Sequence, residues 1–197
     1  MSDDVRAWFL EQLWSPIVAV TAAHDGRTNG LISSTALNAG LVPEAPRVSV
    51  HLGKHNLSRD LVLQAGVMAI HLLPANETGL ALFSALGTTS GHDRQKLDGI
   101  ATRPGETGSP ILVDAVSYVE ARVTSTLDSD ELTIVLADVV AAGGRPQAPF
   151  LTIDDVREQL SADAFRRWNK RREAEMEAAR RLRRAAAVAT SPRRSPD

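Results

Sequence analysis

Between Pro16 and Ala142 the chain is built from short β-branched and aliphatic runs separated by turn residues. The runs are Ile17–Ala22, Gly30–Ser34, Arg47–Leu52, Val67–Leu73, Ile111–Leu127 and Leu132–Ala142, and Asp25-Gly26-Arg27 closes the first two into a hairpin. Within Ser117–Thr126, Val119, Ala121 and Val123 alternate with Tyr118, Glu120, Arg122 and Thr124, the pattern of an antiparallel strand with one wet face. Two helical stretches interrupt the strands, Leu57–Gln64 closed by Gly66 and Glu77–Leu86 closed by Gly87. Isolated helices among hairpin turns, without regular strand–helix alternation, predict a mainly β fold. An antiparallel Greek-key barrel, closed or split, fits better than a doubly wound parallel sheet.

The flanks read differently. Residues 4–13 place Val5, Trp8, Phe9 and Leu13 at helical spacing, giving a short N-terminal helix expected to cap a barrel end. Residues 87–110 form a long polar loop, a candidate lid. Beyond Pro149 the pattern turns helical again, over Ile153–Leu160 after Thr152 and over Ala162–Ala187 with Ser161 as N-cap. The expected organisation is a barrel domain over 1–150, a basic helical tail over 151–189 and a disordered terminus over 190–197.

Composition narrows the chemistry. With 43% hydrophobic and 23% charged residues in 197, the chain has ordinary globular statistics and enough length for one sizeable core. It holds no cysteine, which excludes disulfides, thiolate metal sites, iron–sulfur clusters and cysteine nucleophiles. No apolar run reaches 18 residues, and acidic residues interrupt the amino end, so a membrane span or signal peptide does not fit and a cytoplasmic location is expected. The net charge of −2 hides a split of about −8 over residues 1–155 and about +6 over 156–197. Only the tail carries the clustered cations that nucleic acid or an anionic surface requires.

Two stretches are suited to bind a ligand. In Gly30-Leu-Ile-Ser-Ser-Thr-Ala-Leu-Asn a strand runs into Ser33, Ser34 and Thr35, whose short side chains let a planar ligand approach the backbone. Hydroxyls and amides there match alternating donors and acceptors on a ring edge without any charged group. A plain Ser/Thr-rich strand end entering a turn explains the same run. In Leu52-Gly-Lys-His-Asn-Leu-Ser-Arg-Asp a strand ends at Gly53 and a helix starts at Asn56 or Ser58, beside Lys54 and Arg59. A helix amino terminus with nearby cations suits a phosphate, although an ordinary N-cap gives the same signature.

Taken together, in this order and spacing, the run from Ser15-Pro16 through Gly143 resembles the flavin reductase-like, FMN-binding split-barrel family. The opening hairpin is Val18–Thr21 with Asp25-Gly26, the flavin strand is Gly30–Gly40 and the phosphate segment is Leu52–Asp60. The likeness continues through Phe83, Gly108-Ser109-Pro110-Ile111-Leu112, Tyr118-Val-Glu-Ala-Arg-Val and Leu132–Val140. It implies a homodimer with FMN at the subunit interface, or FAD as a flavin substrate. NADH or NADPH is the implied donor, and an oxygenase or free flavin the acceptor. By position, Ser33, Ser34 and Thr35 line the ring, and Lys54, Asn56, Ser58 and Arg59 hold the phosphate. His55 is a ring or phosphate neighbour. No catalytic side chain is assigned, because the cofactor carries the chemistry. One departure stands out: many reductases of this family carry Gly-Asp-His where this chain reads Ser129-Asp130-Glu131, and an acid there repels dinucleotide phosphates.

The five histidines make no metal signature, and His71 is expected to be a strand residue with a satisfied ring. The run Arg157–Arg184, with Glu173, Glu175 and Glu177 among its arginines, reads as a solvated helix laced by i, i+4 pairs. Leu160, Phe165, Trp168 and Met176 are available to dock its first part on the body or a partner subunit. Besides a reductase, two other classes fit these residues: a non-enzymatic module that binds FMN or another planar cofactor, such as an electron carrier, left open by Glu131, and a nucleic-acid-associated protein acting through the tail, disfavoured by the acidic body.

Overall fold

A computed structural model describes residues 16–190. The sequence expectation for residues 4–13 and that for the residues beyond 190 fall outside this range. The first hairpin joins β1 (Val18–His24) to β2 (Arg27–Ser33) through Asp25 and Gly26, both at positive φ (47° and 74°), as a two-residue turn between twisted strands requires. β3 (Ala36–Asn38) and β4 (Arg47–Gly53) follow, then α1 (Leu57–Ala65), which Gly66 ends in the left-handed conformation. β5 (Val67–Leu72) leads to α2 (Glu77–Gly87), capped by Asn76, whose side chain accepts from the Gly79 amide. The chain then makes a small β6 (Thr102–Pro104)–β7 (Pro110–Leu112) hairpin and the long pair β8 (Ser117–Asp128) and β9 (Leu132–Gly144). α3 (Ile153–Gln159), opened by a Thr152–Asp155 capping box, and α4 (Ala162–Thr190), with Ser161 Oγ accepting from Ala164 N, complete it.

The fold is mainly β. Seven antiparallel strands form one curled sheet in the order β2-β1-β5-β8-β9-β4-β3. Its two edge strands, β2 and β3, are consecutive in the chain, so residues 34 and 35 carry the chain from one edge to the other and close the curl into a split barrel.

β1 is buried on both faces, which explains its unbroken apolar run. Val18, Val20 and Ala22 face the barrel core with Val50, Leu52 and Met68, which α1 covers through Leu57, Leu61 and Val62. Ile17 and Ala19 face a second core built by Leu82, Phe83 and Leu86 of α2 together with Leu151 and Val156. Trp168 of α4 meets Phe83 edge-on at 5.4 Å. The tail is thereby packed onto the barrel through Val156, Ala164 and Trp168, while Met176 stays exposed.

Four sequence expectations change. The run Ile111–Leu127 is two strands, since β7 pairs with β6 in a separate hairpin and the chain turns before β8. Gly87 is the last residue of α2 and the helix stops at Thr88. A Cβ at Gly87 would sit 3.2 Å from Ile32, so its value is close approach to β2. The 87–110 segment is no free lid: Ser90, Lys96 and Leu97 are buried, and Lys96 Nζ donates to Leu86 O at 2.6 Å. Finally, Glu120 does not face water. The β6–β7 turn folds over it, and its carboxylate accepts from Glu106 N, Thr107 N and Thr107 Oγ1.

Candidate functional site

The seam of the barrel is where β2 hands over to β3. Ser33 is buried, and its Oγ lies 3.0 Å from Thr35 Oγ1 and accepts from Thr35 N at 3.2 Å. Thr35 Oγ1 donates to His51 O at 3.4 Å, tying the seam to β4. Ser34 between them is exposed. The three predicted ring residues therefore stand at one break in the sheet, next to the strand that feeds α1.

The predicted phosphate residues are brought to the start of α1 and then diverge. Lys54 Nζ reaches Asp128 Oδ2 at 3.2 Å, and Arg59 reaches Asp128, Asp60 and Thr133 Oγ1. Both cations thus lean toward the β8–β9 turn. The Thr133 hydroxyl and Lys54 hold the Asp128 carboxyl below the usual carboxylate range. Ser58 turns inward, its Oγ accepting from Asn29 Nδ2 of β2 at 3.0 Å. Asn56 has N-cap geometry yet makes no side-chain cap bond, leaving the first-turn amides of α1 without their usual side-chain acceptor. The His55 ring lies over Gly53, where a Cβ would sit 2.6 Å from Cε1.

The tail completes this region. Arg171 of α4 donates from Nη2 to Asn56 Oδ1 at 3.5 Å and from Nε to Glu175 Oε1 at 2.9 Å. The same Glu175 oxygen is 3.4 Å from His55 Nε2. Further along, Arg183 makes a two-pronged contact with Glu131, its Nη2 2.8 Å from Oε1. From Trp168 to Arg183 is about 22 Å at the helical rise, so α4 spans from α2 across the start of α1 to the β8–β9 turn.

Among the described residues, three buried side-chain atoms have no hydrogen-bond partner: Asn29 Oδ1 and both ring nitrogens of His55. Orphaned buried polar atoms are costly and call for a partner. All three flank the uncapped start of α1. The His55 ring and the first-turn amides of α1 can donate to an anionic group, whereas Asn29 Oδ1 is an acceptor and calls for a donor; Lys54, Arg59 and Arg171 are the cations nearby.

The sequence did not point to Asn29, Lys96, Arg171, Glu175 or Arg183. Arg171 and Glu175 read as a solvated i, i+4 pair, and that pair does form, but on a face that lies against His55 and Asn56. The packing of Trp168 and Ala164 selects that face, and the apolar spacing of Leu160, Phe165 and Trp168 was its visible sign.

Residues 10–161 match the flavin reductase like domain. The chain belongs to that family. It is 29% identical over 134 residues to the high molecular weight rubredoxin of Moorella thermoacetica, covering 68% of this chain and 57% of that protein. It is 30% identical over 135 residues to a flavin reductase (NADH) of Kitasatospora aureofaciens, covering 67% of this chain and 66% of that one. It therefore spans less than two thirds of either relative. Among solved structures, nitrilotriacetate monooxygenase component B from Mycobacterium thermoresistibile superposes with a TM-score of 0.63 at 21% identity, over 73% of this chain and 78% of that one. The shared fold is the split barrel found here.

Proposed function

We propose that this chain binds FMN at the barrel seam and transfers hydride from NADH or NADPH to flavin. The observation that carries the reading is the pairing of the Ser33–Thr35 seam with the uncapped, orphan-lined start of α1, tied together by Thr35–His51 and Asn29–Ser58. Ser33, Ser34 and Thr35 offer hydroxyls and backbone groups to the ring edge. His55, Asn56 and the amino end of α1 meet the phosphate, with Lys54 and Arg59 as cations that leave Asp128 to reach it and Ser58 setting the first turn through Asn29. Bound flavin supplies the hydride acceptor. The chain's own groups bind and orient it, and no side chain is needed as an acid or base. FAD serves as an alternative flavin substrate.

A homodimer with the site at its interface is part of this reading. Leu37, Leu41 and Val42 stand exposed beside the seam, where a second copy would cover them. In this reading the domain over 1–150 supplies the ring and phosphate groups, and the tail over 151–189 reaches the phosphate end through Arg171 and Glu175. An oxygenase taking reduced flavin is the proposed downstream partner, consistent with the monooxygenase component among the structural neighbours. A cytoplasmic location is part of the same proposal; among the described residues no helix is long and apolar enough to cross a membrane.

A second reading is favoured by one residue. Glu131 stands at the histidine position of many family reductases and is held by Arg183, which suits an electron carrier that binds FMN without turning over dinucleotide. An absorbance titration with FMN followed by anaerobic NADH and then NADPH tests both. Bleaching of bound flavin supports the reductase, binding without bleaching supports the carrier, and absence of binding overturns both.

A further inference from the structure

The C-terminal helix carries an anion to the start of α1. Glu175 Oε1 is shared between Arg171 Nε at 2.9 Å and His55 Nε2 at 3.4 Å, while Arg171 also reaches Asn56, the uncapped N-cap residue. Burial raises the Glu175 carboxyl, but the contacts with His55 and Arg171 outweigh it and hold the group charged. Buried Lys96 senses the same cluster: desolvation and the nearby Arg171 lower its amine to about 8, against the opposing pull of Glu175. Groups from the α1 entry and from α4 therefore meet at one carboxylate.

A solvated i, i+4 pair requires none of this. Arg171 and His55 have side chains only 18% and 20% exposed, and His55 Nδ1 is buried without a hydrogen-bond partner while Nε2 meets the carboxylate at a long 3.4 Å. Asn29, 2% exposed, donates from Nδ2 to Ser58 in the first turn of α1, and its unpartnered Oδ1 is an acceptor that plays no part in holding an anion. The cluster is thus charge-complementary yet underbonded.

We propose, on the basis of the flavin reading above, that Glu175 is the resident anion of the phosphate subsite and that Arg171 is a phosphate ligand supplied by the C-terminal helix. When FMN binds, its phosphate takes the place of the Glu175 carboxylate on Arg171 and His55. A phosphate monoester carries more charge than a carboxylate and three strong acceptor oxygens, so it can serve Arg171, His55 and the first-turn amides at once. Glu175 offers a single oxygen to both partners. Arg171 is also the cation most easily redirected. Lys54 and Arg59 share Asp128, and Arg59 is held by Asp60 and Thr133 as well, whereas Arg171 has one carboxylate to exchange.

The test is a fluorescence titration of the full chain with FMN and, separately, with riboflavin, which has the same ring and no phosphate. Arg171→Gln should weaken FMN binding by roughly ten- to a hundredfold, the scale of a lost charge-assisted hydrogen bond, and leave riboflavin within about twofold. Arg171→Lys should fall between Arg171→Gln and the parent protein. Glu175→Gln should tighten FMN by about threefold or more, because the competing charge is gone, without changing riboflavin. Equal losses for both flavins in the Arg171 variants, or weaker FMN binding in Glu175→Gln, would overturn the proposal. A parent protein that binds both flavins equally well would overturn it while leaving the flavin reading intact. A parent protein that binds neither would overturn the flavin reading itself. Retained riboflavin binding shows that a variant is folded, and Arg171→Lys carries the comparison if Arg171→Gln is not.

Discussion

His71 Nε2 accepts a hydrogen bond from the Leu112 amide at 3.2 Å, which joins β5 to β7 across the second core. Its Nδ1 faces Ala19 O at 3.2 Å and must therefore carry the proton. The ring is satisfied only when neutral, since a proton on Nε2 would turn an acceptor against a donor. Burial lowers its pKa from 6.5 to about 4, even though Ala19 O and Glu120 pull the other way.

This fixes a pH dependence. The folded value lies below the unfolded one, so the contribution is fully present above pH 6.5 and is lost as pH falls toward 4, the loss reaching about 3 kcal/mol. Denaturant midpoints should drop between pH 7 and 4.5. In His71→Gln, that part of the slope should disappear. A slope of unchanged size in the variant would assign it to other groups.

The Glu120 carboxylate is the clasp of the β6–β7 turn. Burial alone would raise its pKa, but hydrogen bonds from Thr107 and Glu106 and the charge of Arg103 hold it down. Glu120→Gln places an amide donor among three donors and should cost about 2–4 kcal/mol in urea unfolding. Gly105 has the complementary requirement, because a Cβ there would run into the Glu120 carboxylate. Gly105→Ala should accordingly destabilise the same hairpin.

How much of this was legible in the sequence depended on range. The Asp25-Gly26 turn, the Gly66 stop, the capped start of α3 and the strand runs other than Ile111–Leu127 are local signals, and each of these elements formed where its residues placed it. His71 was readable as a satisfied strand residue from its apolar neighbours. Glu120 was not, because alternation reports only which side of a strand a residue takes, and the turn that covers it comes from residues 105–109. Arg171 was misread for the same reason. Its i, i+4 partner was visible, but the surface beneath it depends on Trp168 meeting Phe83, a contact between residues far apart in the chain.

That contact makes the tail separable by mutation. Trp168→Ala removes an edge-to-face pair and a half-buried indole, and should cost about 3 kcal/mol of docking between α4 and the barrel. Limited trypsin digestion of the full chain should then cut at the tail arginines while the barrel stays intact. Equal resistance of the variant and the parent protein would mean that α4 is held chiefly by its polar contacts.

The Glu131–Arg183 pair sets up a test of how the chain meets a dinucleotide. Glu131 places a negative charge at the position where the family resemblance implies a histidine, and Arg183 of α4 offsets it. Removing Arg183 leaves the carboxylate uncompensated, so Arg183→Ala should raise the KM for NADH about two- to fivefold at low ionic strength, the range of a partly exposed pair. Glu131→Gln should lower it, and the double variant should fall close to Glu131→Gln, because Arg183 has then lost the charge it offsets. Glu131→His should improve turnover further by removing the acid. Additive effects in the double variant would show that Arg183 acts on the donor's phosphates directly, and a slower Glu131→His would show that the charge of Glu131 does not limit dinucleotide use.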